Sequence, residues 1–478
     1  MILIPILLCF FTGLLILWLC NQHKYLNIFE QLVLGFVSAL SLFVLELFFQ
    51  GIIFDKLSLI LPIITFIICL LLFIYKNNKH KGLIREILEN IGKDFDKIKS
   101  QFKGLRNRKQ YLTILVLIYA IFKIFMVFSI NINMPTFDED AVAGRDMKTK
   151  IFSSNKSLVL DNTNSEYFGT DYGRYPFAGI TDTYFLLPYN TFINGLGNVI
   201  APFIYLLSII LLLGIFLRKT NLFFVILSLY IFTSLPFVFI HGFGSYRNFP
   251  AGVFLFIFIF YLIDQILNIE KTDICNKGIL LPLILVGFIS SFVRNEGVML
   301  TGITLLFSIF LYHIFRRGKI KEIKYQIFTI IPIISIYIIN KVVFSLYPAG
   351  NVLNTGGTEI NSNLFNSFFS NIAKSDIFLA PFQQMFYHPD YILLFVLFAV
   401  SLILFSINYK KIKSLWIFNI ITVLILLLFM FVLYANVESL GLLSHFAFIR
   451  YPVSIILFLI YFIGSTLYLG INENENGL

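Results

Sequence analysis

Long apolar runs separated by short polar turns repeat along almost the whole chain. A helix that crosses the hydrocarbon core of a bilayer needs roughly 20 apolar residues. Segments close to that length lie at residues 2–20, 30–53, 57–75, 111–130, 198–217, 222–240, 249–268, 279–293, 298–315, 326–346, 391–408, 414–434 and 447–469. The pattern therefore predicts an all-α fold, a polytopic transmembrane helical bundle of about 13 spans.

The composition strengthens this prediction and limits the classes that remain. Of the 478 residues, 58% are apolar and 13% are charged, and the mean hydropathy is +0.86. A soluble chain of this length needs a larger polar share to cover its surface, so lipid must solvate this one. The first run lacks the basic start and the cleavage site of a signal peptide, which makes it a predicted transmembrane helix. The four cysteines show no spacing that indicates a disulfide or a metal site.

The distribution of charge predicts how the bundle is oriented. Residues 76–110 hold 11 Lys or Arg against 4 Asp or Glu, and such basic loops remain in the cytoplasm. If successive spans alternate, the basic turns at 218–221, 316–324 and 408–413 fall on the same side. Residues 131–197, with 5 basic and 8 acidic residues, then fall on the non-cytoplasmic side. These loops explain the net charge of +10 without a nucleic-acid partner.

A single membrane domain is predicted, and its parts differ in pattern. They are three helices in 1–75, a basic cytoplasmic linker at 76–110, a motif-bearing region at 111–300 with the outer loop 131–197, and C-terminal helices in 301–478 with the outer loop 347–390. Apolar residues at helical spacing between 84 and 102 predict an amphipathic helix on the inner membrane surface. Loops of this length are usually functional or disordered. Because the first one contains aromatic residues such as Tyr167, Phe168 and Tyr172, we expect it to fold against the membrane, and we expect the outer loops to carry short interfacial helices.

Three consecutive carboxylates, Asp138, Glu139 and Asp140, open the first outer loop. Adjacent like charges raise the pKa of one member unless a cation is near, which suits acid–base chemistry. The simpler interpretation is that Asp140 caps a helix beginning at the next residue. Lys148 and Lys150 follow within about three helical turns, where they would place ammonium groups near a lipid phosphate or merely snorkel to the interface.

Several basic residues lie at predicted outer boundaries, where the positive-inside rule leads us to expect few. They are Lys148, Lys150, Arg174, Arg247, Arg294 and Arg450. Each one alone is consistent with an interface anchor, but together they suit a phosphate group, whose oxygens match the fork of a guanidinium. The chain contains no P-loop and no dinucleotide-binding glycine motif. The pattern therefore favours group transfer from a lipid phosphate carrier.

These motifs resemble those of the GT-C superfamily of polyprenyl-phosphate-sugar-dependent glycosyltransferases. The closest likeness is to a bacterial branch similar to protein mannosyltransferases and aminoarabinose transferases. Asp140-Ala141 and the Lys-Thr-Lys at 148–150 match the spacing of its Asp-Ala and Lys-Ala-Lys elements. The Tyr-Pro-Phe at 175–177 resembles its Tyr-Pro-Leu element, and the Arg-Asn-Glu-Gly at 294–297 resembles its Lys-Asn-Glu-Gly. The resemblance covers roughly residues 111–300, and the rest of the chain only by topology.

The resemblance implies an inverting transfer of one sugar from a polyprenyl phosphate to a cell-envelope acceptor, a lipid, glycan or protein, outside the bacterial inner membrane. Asp140 would accept the proton of the acceptor hydroxyl while Glu139 and Asp138 orient the acceptor, although the sequence leaves open which of the three is the base. The six basic residues would hold the donor phosphate. Tyr175, Asn295 and Glu296 would bind substrate. No cofactor is predicted, and a divalent metal at Asp138 and Asp140 is a minor alternative.

Two other functions remain open. An O-antigen or capsule polymerase or ligase also transfers glycans outside the membrane, and it would depend on the outer arginines rather than on the carboxylates. A flippase or transporter of lipid-linked sugars should carry ionisable residues at the middle of the bilayer. Glu46, Lys123, Asp264 and Lys341 instead lie nearer the ends of their predicted spans, which makes transport the weaker hypothesis.

Overall fold

The computed structural model contains only helical elements within the residues that it describes. Those residues are 1–105, 107–133, 146–158, 177–189, 192–244, 248–267, 277–293, 301–304, 389–408, 420–425 and 452–476, with isolated positions at 306, 307, 310, 334, 335, 338, 339, 342, 369–371, 374 and 418. The all-α prediction is therefore confirmed over the described part of the chain.

The described residues form fourteen α-helices, α1 to α14 in chain order. They are α1 (Leu3–Leu19), α2 (Ile28–Phe54), α3 (Ile60–Lys79), α4 (Leu83–Lys103), α5 (Asn107–Asn133), α6 (Asp146–Asn155), α7 (Phe177–Leu186), α8 (Ile200–Lys219), α9 (Leu222–Ser234), α10 (Pro236–Phe243), α11 (Asn248–Tyr261), α12 (Leu280–Phe292), α13 (Pro389–Asn408) and α14 (Ile456–Asn476). Short 3-10 turns occur at Gln22–Lys24, Asn194–Leu196, Lys277–Ile279 and Pro452–Ile455, and α11 continues into a π-helical turn, Leu262–Leu267.

Several of these helices can cross a membrane by length and composition. Within the described residues, α2, α3, α5 and α8 are long and apolar enough, and α9 with α10 would make a fifth if the two form one bent span. A membrane-embedded helical chain is thus what the structure supports. The larger number of spans stays a prediction, because much of 294–451 lies outside the described residues.

The predicted span over 222–240 is not one continuous helix in the structure. The helix breaks at Leu235, where α9 and α10 meet at an angle of 69°. Leu235 adopts an extended conformation, with φ −74° and ψ 115°. Proline disfavours helical backbone in the residue before it and lacks the N–H that a continuous helix needs, so Pro236 accounts for the break.

Helix α2 is the central helix of the bundle, and it packs against α1, α3, α7, α8 and α12. Its crossing with α1 is close because Gly13 faces Gly35, so that a Cβ added at either position would overlap the backbone of the other helix. Small residues permit this approach between membrane helices. By contrast, α3 and α5 are mostly exposed and present isoleucines, leucines and phenylalanines outward, as lipid-facing helices do.

The contacts between helix ends define two ends of the bundle. At one end, which we call the basic end, the α1–α2 junction lies against α4 and near the last turn of α8, through bonds such as Asn90 Nδ2 to the His23 carbonyl (3.1 Å) and Asn27 Nδ2 to the Gly214 carbonyl (2.7 Å). At the other, the far end, the Leu57 N–H between α2 and α3 donates to the Lys156 carbonyl just after α6 (2.5 Å). Helix α4, in the basic segment, and helix α6 therefore lie at opposite ends.

The predicted amphipathic helix over 84–102 is present as α4. Leu83 and Ile87 are buried against the bundle, while Leu88 and Phe95 remain exposed. The outer-loop prediction needs a correction, because α7 is not an interfacial helix. Nearly all its side chains, including those of Thr181, Asp182 and Thr183, are buried among α1, α2, α6 and α12 rather than laid along a surface.

Candidate functional site

The structure describes two of the residues that the sequence nominates for a site, Lys148 and Lys150 on α6. The others lie outside the described residues, so their predicted roles stay predictions. They are Asp138, Glu139, Asp140, Arg174, Tyr175, Arg247, Arg294, Asn295, Glu296 and Arg450. The described part of the far end consists of α6, α7 and their neighbours.

Lys148 is buried between two helices, with 6% of its surface exposed. Helix α6 packs against α7 at Gly179, where an added Cβ would lie 3.2 Å from the Lys148 Cβ and 3.3 Å from the Phe152 ring. Gly179 thus makes room for the lysine side chain. An ammonium group within an apolar bundle is costly, so its presence marks a functional candidate rather than a surface anchor.

Two carboxylates are buried on the same pair of helices. Asp146 opens α6, a position where a negative charge interacts favourably with the helix dipole. Asp182 is fully buried in α7, three residues after Gly179 and hence on the same helix face. Lys148, Asp146 and Asp182 together form what we call the far-end polar cluster.

Lys150 is in a different environment from Lys148. The side chain of Lys150 is exposed, whereas that of Lys148 is buried. The sequence nominates both lysines for one phosphate site. In the structure only Lys148 is buried, as the two carboxylates are, and Lys150 is exposed.

Helix α7 is held rigidly, which fixes one wall of this cluster. The Tyr184 hydroxyl donates to the Pro5 carbonyl in α1 (2.9 Å), and it accepts from the thiol of Cys9 (3.5 Å). At the start of the helix, the Phe177 ring contacts the rings of Phe48 (5.0 Å between centroids) and Phe292 (4.8 Å). Such packing holds side chains in place, and a site on a rigid helix is positioned more accurately than one on a loop.

A second polar cluster, at the basic end, was not nominated by the sequence. Glu30 is fully buried in the first turn of α2, and Arg218 near the end of α8 donates to both of its oxygens, from Nε and Nη2, at 2.8 Å each. The Tyr261 hydroxyl also donates to Glu30 (3.1 Å). This bidentate arrangement is the strongest geometry for an arginine and a carboxylate.

The same arginine joins α2 and α8 to α11. Arg218 Nη1 lies 2.7 Å from a carboxylate oxygen of Asp264 in the π-helical turn, and Lys219 contacts the other oxygen of that group. Two carboxylates are thus balanced by two cations across three helices. We call this set, Glu30, Arg218, Lys219 and Asp264, the ion network of the basic end.

A local signal for part of this network is visible in the sequence. Asn27 and Glu30 have the spacing of a capping box, and both bonds form, with the Glu30 N–H donating to Asn27 Oδ1 (3.0 Å) and the Asn27 N–H to Glu30 Oε2 (3.4 Å). A carboxylate just after a helix N-cap residue and before a long apolar run must either be buried or bond to the free N–H groups of the helix start. Its partner, however, lies 188 residues away, and no local pattern identifies it.

The turn between α1 and α2 adds titratable groups beside the ion network. Burial lowers the pKa of His23, and the nearby carboxylate of Glu86 only partly opposes that effect. Burial raises the pKa of Asp94 although its carboxylate accepts from the Ile28 N–H (2.9 Å). The Glu86 pKa is lowered, because its bond and charge interactions with Lys24 and His23 outweigh the opposing effect of burial.

The two clusters differ in what they can do. Every member of the ion network has a charged partner within 4 Å, an arrangement typical of a structural clamp between helices. The far-end polar cluster includes two residues of α6, the helix that follows the predicted carboxylates in the sequence, so it is the better candidate for chemistry. Comparisons with models of protein families, with curated proteins and with solved structures found no match for this chain.

Proposed function

We propose that this chain is a membrane glycosyltransferase that moves a sugar from a polyprenyl phosphate to an envelope acceptor on the non-cytoplasmic face. The observation that supports this proposal is the burial of Lys148, Asp146 and Asp182 on the packed helices α6 and α7, at the end opposite α4. A cation enclosed by helices, shortly after the acidic residues 138–140 in the sequence, is suited to the phosphate of a lipid-anchored donor. The resemblance to the GT-C superfamily gives that cation its chemical context.

In the proposed reaction, the acceptor hydroxyl oxygen attacks the anomeric carbon of the donor sugar. The bond from that carbon to the phosphate oxygen breaks, and its electron pair leaves with the polyprenyl phosphate. The proton of the hydroxyl passes to Asp140, whose help as a general base contributes ~10²–10⁴-fold. Attack from the face opposite the leaving group inverts the configuration at the anomeric carbon.

Lys148 would stabilise the charge that develops on the leaving phosphate. An ammonium group has its greatest effect where water is excluded, because the charges interact through a low effective dielectric. The rigid support of α7 keeps the group in place and removes the cost of reorganisation during the reaction. In such a site a fixed cation can supply the charge neutralisation that a divalent metal supplies for nucleotide sugars, so the proposal requires no metal.

The proposal is tested by assaying purified protein with radiolabelled polyprenyl-phosphate sugars and following the loss of label from the lipid fraction. We expect Lys148→Met to lower kcat/KM by roughly 10²-fold, the usual effect of losing one charge-stabilising group. Methionine keeps the length and packing of the side chain, so the change isolates the charge. Asp140→Asn should lower kcat by a similar or larger factor.

The matched control is Lys99→Met, which removes a charge from an exposed position on α4 at the basic end. It should transfer sugar at the wild-type rate. If Lys148→Met is folded and equally active, Lys148 has no role and the proposal loses its support.

A separate test distinguishes the polymerase or ligase alternative. If changing Asp138, Glu139 and Asp140 together to amides leaves activity intact while Arg294→Gln abolishes it, that alternative replaces the proposed function.

A further inference from the structure

A cavity of about 200 Å³ lies at the basic end, between α4 and the junction of α1 with α2. Asp94 is the one carboxylate among the lining residues, whose basic side chains are those of Lys93, Lys97, Lys24, Arg218 and His23. The cavity is below the ~300–1,000 Å³ of sites for drug-sized ligands, so it suits a small group. Its chemistry is that of an anion site.

Two lysines in this lining are available to a ligand. Lys24 lies 3.2 Å from Glu86, and Arg218 is held by Glu30 and Asp264. Lys93 and Lys97, by contrast, have no carboxylate within 4 Å among the residues that the structure describes. They are one turn apart on α4, where like charges repel unless an anion lies between them.

His23 supplies an independent indication of a ligand. The side chain is fully buried, yet within the described part of the chain its Nδ1 has no hydrogen-bond partner, and its Nε2 is 3.6 Å from the nearest Glu86 oxygen. Buried polar atoms are nearly always hydrogen-bonded. Because His23 lines the cavity, a ligand with acceptor oxygens would complete its bonding.

We propose that this cavity binds a phosphate group, presented either by an anionic lipid headgroup or by a soluble phosphate. Lys93 and Lys97 contact the phosphate oxygens from α4, and His23 donates from the opposite wall. Arg218 is held in place by Glu30 and Asp264, and it adds a fixed positive charge to the lining of the cavity. The exposed apolar side chains of Leu88 and Phe95 on the same helix would place the site at the edge of the bilayer.

The test uses the full-length protein in an uncharged detergent, titrated calorimetrically with inorganic phosphate and, separately, with dihexanoyl phosphatidic acid. Wild type should bind at least one probe at a single saturable site. The double variant Lys93→Gln/Lys97→Gln should weaken that binding about tenfold or more, the effect expected from losing charge-assisted hydrogen bonds. His23→Gln, which keeps one donor, should weaken binding less.

The matched control is Lys99→Gln/Lys103→Gln, which removes the same charge from the same helix, also one turn apart, at exposed positions outside the cavity lining. It should bind within twofold of wild type. Binding of the phosphatidic acid that inorganic phosphate does not displace identifies a lipid headgroup as the source, and displacement identifies a soluble phosphate. Failure of wild type to bind either probe, or equal weakening in both double variants, overturns the proposal.

Discussion

Glu30 shows how much a single side chain can determine in this bundle. Its carboxylate is fully buried, yet it accepts from Arg218 twice and from Tyr261 once, so its charge is well compensated. A buried ion pair is weak grounds for high stability, because desolvation offsets the attraction, but the loss of one partner leaves an uncompensated charge. We therefore expect that removing Glu30 alone strongly destabilises the protein. The intact pair of Glu30 and Arg218 need not stabilise it more than a well-packed apolar pair would.

Glu30→Ala should destabilise the protein by about 3 kcal/mol, because Arg218 stays partly buried with Asp264 as its one remaining acid. The measurement is the midpoint of unfolding in a titration with SDS. Glu89→Ala is the control, because Glu89 pairs with Arg85 at 2.8 Å on the exposed face of α4, where such a pair contributes less than ~1 kcal/mol. Equal midpoints for the two variants would contradict the role of the ion network.

His23 gives the stability a dependence on pH. Its folded pKa is lowered, so the unfolded chain binds the proton more readily. Stability from this residue is present above its unfolded pKa of about 6.5 and is lost as the pH falls from there through the folded value. Glu86, Lys24 and Lys76 are the charged groups that act on it.

We expect wild type to lose stability between pH 7 and pH 5, and His23→Gln to lose less over the same interval. The measurement is the thermal unfolding midpoint at each pH in one detergent. The difference between the two proteins isolates His23, because the contributions of other groups are shared. Parallel curves would show that the imidazole is not buried in its neutral form.

At the scale of whole elements, the crossing of α1 and α2 depends on two glycines. A Cβ at Gly35 would lie 2.8 Å from the carbonyl carbon of Gly13, and a Cβ at Gly13 would overlap the Gly35 carbonyl. Both obstacles are backbone atoms, which cannot move aside as a flexible side chain can. The two helices must therefore separate if either position gains a side chain.

Gly13→Ala should lower the SDS unfolding midpoint, whereas Gly92→Ala should leave it unchanged or raise it. Gly92 also lies inside a helix, α4, but an added Cβ there meets no atom within 4 Å. Alanine then adds up to ~1 kcal/mol through its higher helix propensity. If the two Gly→Ala changes shift the unfolding midpoint in opposite directions, the effect of packing is separated from that of helix propensity. A Gly13→Ala variant as stable as wild type would refute the close crossing.

At the scale of the whole molecule, the two ends carry different chemistry. The basic end holds α4, the ion network and the lysine-lined cavity, and the far end holds α6, α7 and the far-end polar cluster. The positive-inside rule predicts that the basic end faces the cytoplasm. The proposed sugar transfer depends directly on this orientation. For the proposed phosphate site, the orientation decides which lipid leaflet the site contacts.

The orientation can be tested with single cysteines in a chain whose own cysteines are replaced by alanine. Lys150→Cys on α6 and Lys99→Cys on α4 are both exposed and lie at opposite ends. In intact cells a membrane-impermeant maleimide should label the first and leave the second until the membrane is permeabilised. The reverse pattern would place the far end in the cytoplasm, and the proposed sugar transfer would fail with it.

Most of the described helices were predictable because each one is a continuous apolar run. Predicted spans such as 30–53 and 198–217 match α2 and α8 to within two residues. The periodicity that predicts a helix over 84–102 likewise matches α4. The errors arise where tertiary context or local backbone chemistry overrides length, as at Pro236, and in α7, which is buried rather than interfacial.

The sequence by itself determined that this chain is helical, that lipid solvates it and that its cations concentrate in one segment. Hydrophobicity and charge act locally, so they are readable from neighbouring residues. Only the tertiary structure decided that Glu30 meets Arg218 across 188 residues, and that Lys148 is buried while Lys150 is not. Those outcomes depend on which helix faces pack together, because burial and ion pairing are properties of surfaces that several distant segments form jointly.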